Sequence, residues 1–158
     1  MVSLKTLIVV YSYHHMNTQK IADVFAKVFN AEIKTPQETN VSQLGSYDLI
    51  GFGAGIDSGK HYKPLLDFAD QLPNVNGKNA FIFSTSGVSN PRYQTKIHTA
   101  LHEKLQTKGY LIVDDFNCHG LDTNSFLKLF GGINKGRPNA DDLKAAEEFA
   151  LKLKSRYK

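Results

Sequence analysis

Apolar residues fall in short unbroken runs, and between the runs they recur every three or four positions. The runs at Leu4–Tyr11, Ala31–Thr35, Asp48–Gly53, Ala80–Ser84 and Tyr110–Phe116 predict strands, most of them continuously apolar as strands buried on both faces are. The intervening periodicity predicts helices. Ile21, Phe25, Val28 and Phe29 share one face of the first. Asn90-Pro91 opens another, which carries Ile97, Leu101 and Leu105 before Gly109 stops it. Asn139, followed by Asp141 and Asp142, caps the last, whose core stripe is Leu143, Ala146, Ala150 and Leu153. A short helix is read between Pro64 and Leu72, and the polar stretch from Pro36 to Gln43 carries no assignable pattern. Strand followed by helix five times, without repeats or low-complexity linkers, predicts an α/β fold. Its form is a three-layer, doubly wound sheet of five parallel strands.

Composition narrows the picture without naming a chemistry. A length of 158 residues with 41% hydrophobic and 22% charged content predicts one domain, residues 1–158, with a substantial core. The longest apolar run, Leu7–Tyr11, is too short to span a bilayer, and Met1-Val-Ser-Leu-Lys5 lacks the features of a secretory signal, so a cytoplasmic location is expected. The single cysteine, Cys118, excludes an internal disulfide and a cysteine-based zinc site, and it is read as buried packing. The net charge of +4 is dispersed, which argues against a nucleic-acid interface. The densest basic group, Lys152, Lys154, Arg156 and Lys158, closes the last helix, where cations oppose the negative end of the dipole.

In a doubly wound sheet, ligands bind beyond the carboxyl ends of the strands, so function is expected on three loops. The first follows the strand ending at Tyr11 and runs through Ser12 into a helix beginning near Asn17 and Thr18. Backbone N–H groups and the helix dipole converge there on an anion such as a phosphate. The second is Ala54-Gly-Ile-Asp-Ser-Gly-Lys-His-Tyr62 and the third Thr85-Ser-Gly-Val-Ser-Asn-Pro-Arg-Tyr93. Tyr62 and Tyr93 place flat aromatic groups in both, and Gly55, Gly59 and Gly87 permit close backbone approach.

With these three loops, the whole chain resembles the flavodoxins. The resemblance implies strand order 2-1-3-4-5, non-covalently bound FMN, and electron transfer between redox partner proteins. Asn17 and Thr18 occupy the positions where the family's phosphate turn ends in Asn-Thr, which implies contact with the FMN phosphate. Tyr13, His14, His15 and Met16 depart from the small hydroxyl residues and glycine usual in that turn; Ser12 stands one position early as a substitute hydroxyl, and the histidines can donate ring N–H groups. The cofactor-binding set implied is Ser12, Tyr13, His14, His15, Met16, Asn17, Thr18, Ala54, Gly55, Ile56, Lys60, His61, Tyr62, Thr85, Ser86, Gly87 and Tyr93, with Tyr62 or His61 as the stacking partner. Asp57, Lys60 and His61 mix charge beside the flavin, so reduction is expected to be easier than in an acidic flavodoxin. The alternative for Lys60 and His61 is that both face solvent.

The third strand and its loop also resemble the flavodoxin-like protoporphyrinogen oxidases, which pass electrons to a quinone. An FMN enzyme that uses NAD(P)H and a quinone-type acceptor is therefore one alternative, and a flavodoxin-like binding module that has lost FMN is another. The long connection Cys118–Pro138 is the candidate for selecting a partner, and its Phe126, Leu127, Leu129 and Phe130 are read as packing under the last helix, with a lid over the flavin as the alternative. Gly51-Phe-Gly-Ala-Gly55 is a misplaced dinucleotide fingerprint, no Walker lysine or Gly-x-Ser-x-Gly elbow occurs, and Ser84-Thr-Ser-Gly87 lacks an identifiable histidine and acid. His98 and His102, one helical turn apart, are read as a solvated helix face, and no metal is assigned.

Overall fold

A computed structural model describes residues 4–12, 17–57, 59–87, 90–119 and 138–157. The readings for Tyr13, His14, His15 and Met16, and for Phe126, Leu127, Leu129 and Phe130, lie outside these residues. The chain runs β1 (Thr6–Tyr11), α1 (Asn17–Phe29), β2 (Glu32–Lys34), a 3-10 turn (Val41–Ser46), β3 (Leu49–Asp57), β4 (Lys60–His61), α2 (Lys63–Asp70), β5 (Lys78–Ser86), α3 (Pro91–Thr107), β6 (Tyr110–His119) and α4 (Ala140–Ser155).

The parallel sheet has the order β2-β1-β3-β5-β6. This is the expected order 2-1-3-4-5, with the two-residue β4 added as an antiparallel partner of β3. Alternate residues of the central strands feed two cores. Leu7, Val9, Ile50, Phe52, Ala80 and Ile82 face α2 and α3 on one side. Ile8, Val10, Leu49, Phe81 and Phe83 face α1 and α4 on the other, around the ring of Phe25. Both faces are covered, which is why the strands read as unbroken apolar runs.

The helix signals correspond to local bonds. Asn90 accepts from the Tyr93 N–H at 2.9 Å with Pro91 in the first turn of α3. Asn139 and Asp142 exchange bonds of 3.0 and 2.8 Å as a capping box on α4. The chain leaves α3 through Gly109 at φ 99°, where a Cβ would collide with the Val75 carbonyl, so only glycine fits. The unassigned polar stretch turns into the 3-10 segment, capped by Asn40 accepting from the Ser42 N–H at 3.1 Å.

Three strands outrun their expected ends. β3 continues past Gly53 through Ala54 and Gly55 to Asp57, β5 through Thr85 to Ser86, and β6 through Asn117 and Cys118 to His119. Neighbouring backbones supply ladder bonds there that composition does not announce. A second irregularity lies in β6: Ala80 pairs with Ile112 but Phe81 pairs with Asp114, so one residue is skipped. Since side chains alternate, that bulge exchanges the faces of everything after it. Ile112 belongs to the core under α3, whereas Phe116 and Cys118 belong to the α1/α4 side. Asp115 and Asn117 are thereby delivered to α3. Cys118 is buried, as expected.

Candidate functional site

The strand order reverses between β1 and β3, and the side chains of interest gather at the carboxyl ends of β1, β3 and β5. Tyr11 pairs with Ala54 and Gly55 with Thr85, so three strand ends lie abreast. Asn17 and Thr18 begin α1 directly above them, both buried. The Thr18 hydroxyl shares a 2.8 Å hydrogen bond with that of Thr85, tying the start of α1 to the end of β5. The Ser12 hydroxyl accepts from the Gln19 N–H at 3.2 Å, and so caps α1 from the preceding loop. The site is thus a helix N-terminus framed by three hydroxyls.

The β3–β4 hairpin forms the other wall. Ile56 pairs with His61 and Asp57 with Lys60, and Gly59 turns the chain at φ 80°. The Tyr62 N–H then donates to the Gly55 carbonyl at 3.0 Å, which folds the half-buried Tyr62 ring onto Gly55. A Cβ on Gly55 would stand 2.7 Å from that ring, so glycine is the residue the contact admits. Tyr11 meets Tyr62 edge-on, with centroids 6.1 Å apart at 87°. Tyr93 lies in the first turn of α3 and not in a loop, and is half-buried. Ser86 is buried and accepts from Asn117 at 3.1 Å, with Gly87 partly buried beside it. Ala54 is buried and Ile56 partly so.

Lys60 and His61 point opposite ways, as neighbours on a strand must. Lys60 is exposed; His61 is 1% exposed, and its Nε2–H donates to the Phe83 carbonyl at 3.0 Å. That bond fixes the tautomer and leaves Nδ1 bare and without a hydrogen-bond partner among the described residues. Burial, reinforced by the nearby His98, pushes the ring's pKa down to about 3. The reading of His61 as a solvent-facing charge is therefore corrected: it is a neutral, inward group.

A constellation that sequence reasoning missed sits behind this wall. Ser84 Oγ is 2.6 Å from His98 Nε2, and His98 Nδ1 is 2.7 Å from Asp115 Oδ2. The Asn117 amide donates to Ser84 Oγ at 2.7 Å. The carboxylate of Asp115 accepts, so His98 donates from Nδ1, and Ser84 Oγ accepts from the Asn117 amide; with a neutral ring, Ser84 in turn donates to Nε2. His98 is 2% exposed, so its assignment to a solvated helix face is overturned; His102 is partly buried. The histidine and acid that Ser84 was read as lacking are present. Their signal was available in part, because His98 is spaced with Leu101 and Leu105 on the inner stripe of α3. Asp115 was hidden by the bulge. Burial raises the Asp115 carboxyl, but hydrogen bonds from His98 and Gln94 outweigh it and hold the group below its usual range. Asp115 remains 36% exposed, at a hollow of about 420 Å³ that His98, His102, Glu103 and Asp114 also line. Ser84 itself has 0% exposure, so its hydroxyl offers no face to an incoming ester or amide. Among the described residues, no group of three metal-ligating side chains could hold a metal ion.

A family described as the flavodoxin domain matches residues 8–151. The chain belongs to the flavodoxin family. An uncharacterized protein of Methanocaldococcus jannaschii is 46% identical to this flavodoxin-family chain over 150 residues, covering 95% of this chain and 98% of the relative. Oxidised Flavodoxin 2 from Bacillus cereus superposes with a TM-score of 0.69 at 18% identity, covering 93% and 95% of the two chains. General stress protein 14 of Treponema denticola, solved in complex with FMN, gives 0.63 at 10% identity, covering 98% and 99%. At such identities the two structures speak for the flavodoxin-like fold alone. Among the described residues of this flavodoxin-family chain, no helix is long and apolar enough to cross a membrane.

Proposed function

We propose that the protein binds FMN between the β1–α1 turn and the ends of β3 and β5, and carries electrons between redox partner proteins. The observation that carries this reading is the convergence of a helix N-terminus, a half-buried tyrosine folded onto a glycine, and buried hydroxyls at one strand-order reversal. Each component fits a different part of the cofactor. Asn17, Thr18 and Ser12 fit the phosphate, through hydroxyl and amide groups at the positive end of α1. Tyr62 presents the flat face suited to the ring system, with Tyr93 from α3 at the third side. Thr85, Ser86 and Gly87 line the end of β5 and suit the polar edge, with Ala54, Gly55 and Ile56 beneath. FMN, when bound, supplies reversible uptake of one or two electrons.

The protein's part is to bind, orient and set charge. With Thr85 as donor of their shared bond, Thr18 keeps that bond and has its own hydrogen for a phosphate oxygen. Lys60 is the exposed cation of the β3–β4 hairpin, and His61 adds no charge at neutral pH. The family assignment and the FMN-bound relative support this reading.

Protein purified without added cofactor, then incubated with FMN and gel-filtered, should retain flavin bands in its visible spectrum. A colourless protein under excess FMN would overturn the reading in favour of a binding module without flavin. Sustained oxidation of NAD(P)H with a quinone acceptor, in the absence of any reductase, would replace the carrier assignment by an oxidoreductase.

A further inference from the structure

Among the described residues, the Ser84–His98–Asp115–Asn117 network extends its hydrogen bonds to Ser86 and Gln94, and nothing in electron carriage as such requires it. Its place is specific. Ser84 directly precedes Thr85–Gly87, the β5 segment of the proposed cradle, and Asn117 bridges Ser84 to Ser86 with bonds of 2.7 and 3.1 Å. His61, immediately before Tyr62, lies with its ring 5.1 Å from that of His98. Two buried imidazoles therefore stand behind two of the three cradle segments.

They are not equivalent. Among the described residues, the charged and titratable groups around His98 are the carboxylate of Asp115 in contact, with Asp114 on the same strand; His61 on β4; and His102 and Glu103 on α3, while β5 contributes the neutral Ser84. His61 has a carbonyl on one nitrogen and no carboxylate among its described contacts. Of the two rings, only His98 is placed to hold a positive charge against a fixed negative one. Hydrolysis through the same three side chains is excluded by the covered Ser84 hydroxyl, whose proton and acceptor site are both engaged.

We propose that His98 is the protein's proton acceptor when the bound flavin is reduced, so that an imidazolium formed beside Asp115 compensates the negative charge gained by the cofactor. This rests on the FMN reading above. For every two electrons delivered by an external reductant, one proton joins the flavin, which gains one negative charge overall, and a second joins His98 at Nε2. Two electrons and two protons enter, and the net charge of the site is unchanged. At His98 the new N–H donates to Ser84 Oγ, which turns from donor to acceptor by rotating its O–H bond and keeps its own proton. Reduction is thereby linked to the hydrogen bonding of the residue that precedes Thr85. His98 is on this account a positioning and charge-compensating residue, since its described contacts are to Ser84, Asp115 and His61, each one step behind the cradle.

The test is a spectroelectrochemical titration, with dithionite as reductant, of the full chain loaded with FMN at several pH values around neutrality. The pH dependence of the midpoint counts the protons taken up. The wild type is expected to take up two protons per electron pair and His98→Gln one, with Asp115→Asn also below two. A variant that retains flavin and matches the wild-type count overturns the inference alone. A protein that retains no flavin overturns the FMN reading and this inference with it, and the visible spectrum separates the two failures. A folding defect in the variants does not remove the test, because ring 15N shifts of His98 in the wild-type holoprotein must change from neutral to imidazolium on reduction. Unchanged neutral shifts overturn the inference.

Discussion

His61 offers a quantitative prediction because its burial converts directly into acid sensitivity. The ring's pKa is about 3 in the folded protein, against 6.5 for an unhindered histidine. A depressed histidine pKa means that the unfolded chain binds the extra proton first. The contribution is near zero above about pH 7, and stability is lost as pH falls through 6.5, with the loss saturating only near pH 3. At pH 5 the unfolded state lies about 1.5 pH units below its own pKa while the folded ring is still neutral; at 1.36 kcal/mol per unit this is a destabilisation of about 2 kcal/mol. The perturbation to compare is His61→Gln, whose amide can still donate to the Phe83 carbonyl but does not titrate. Urea unfolding at pH 7 and pH 5 should show the wild type losing about 2 kcal/mol more than the variant between the two, a melting-temperature difference of roughly 4 to 8 °C for a chain of this size. Titrating groups other than the neighbouring His98 cancel in the comparison. If the two proteins lose stability in parallel, His61 is not held neutral by the fold and the reasoning fails.

Other expected outcomes follow from single contacts. Phe25→Ala removes the ring that meets Phe81, Phe83, Phe116 and Phe149, and should cost about 3 to 5 kcal/mol by chemical denaturation. Gly51→Val drives a side chain into the Phe81 ring and should lower the urea midpoint by the equivalent of about 1 to 3 kcal/mol or more. Thr18→Val leaves the Thr85 hydroxyl buried without its partner, costing about 1 to 3 kcal/mol, whereas the double change with Thr85→Val should recover much of that loss in a double-mutant cycle.

The sheet was legible because each central strand is buried on both faces, so its signature is an unbroken apolar run that no surface pattern imitates. The helices were legible through Asn90, Asn139 and Asp142, whose side chains make the caps their positions imply. What escaped depends on partners distant in sequence. The extension of β3 past Gly53 through Ala54 and Gly55 requires a neighbouring strand to hold it. His61 looked like a loop charge because a two-residue strand is too short to show alternation. His98 looked like one of a polar pair with His102, although its spacing with Leu101 and Leu105 placed it inward. Asp115 and Asn117 could not be assigned to a face from periodicity at all, since one skipped residue in β6 inverts the alternation. The candidate cradle was therefore readable as three loops, and the polar network behind it was not.

The most direct test of the account is an FMN fluorescence titration of the wild type, Tyr62→Ala, Thr18→Val and, as a control on the exposed face of α4, Leu151→Ser. The account predicts saturable quenching at one FMN per chain, a dissociation constant raised about tenfold or more in the two site variants, corresponding to about 1.4 kcal/mol each, and no change in the control. Absence of saturable binding, or equal affinity in all four proteins, would contradict it.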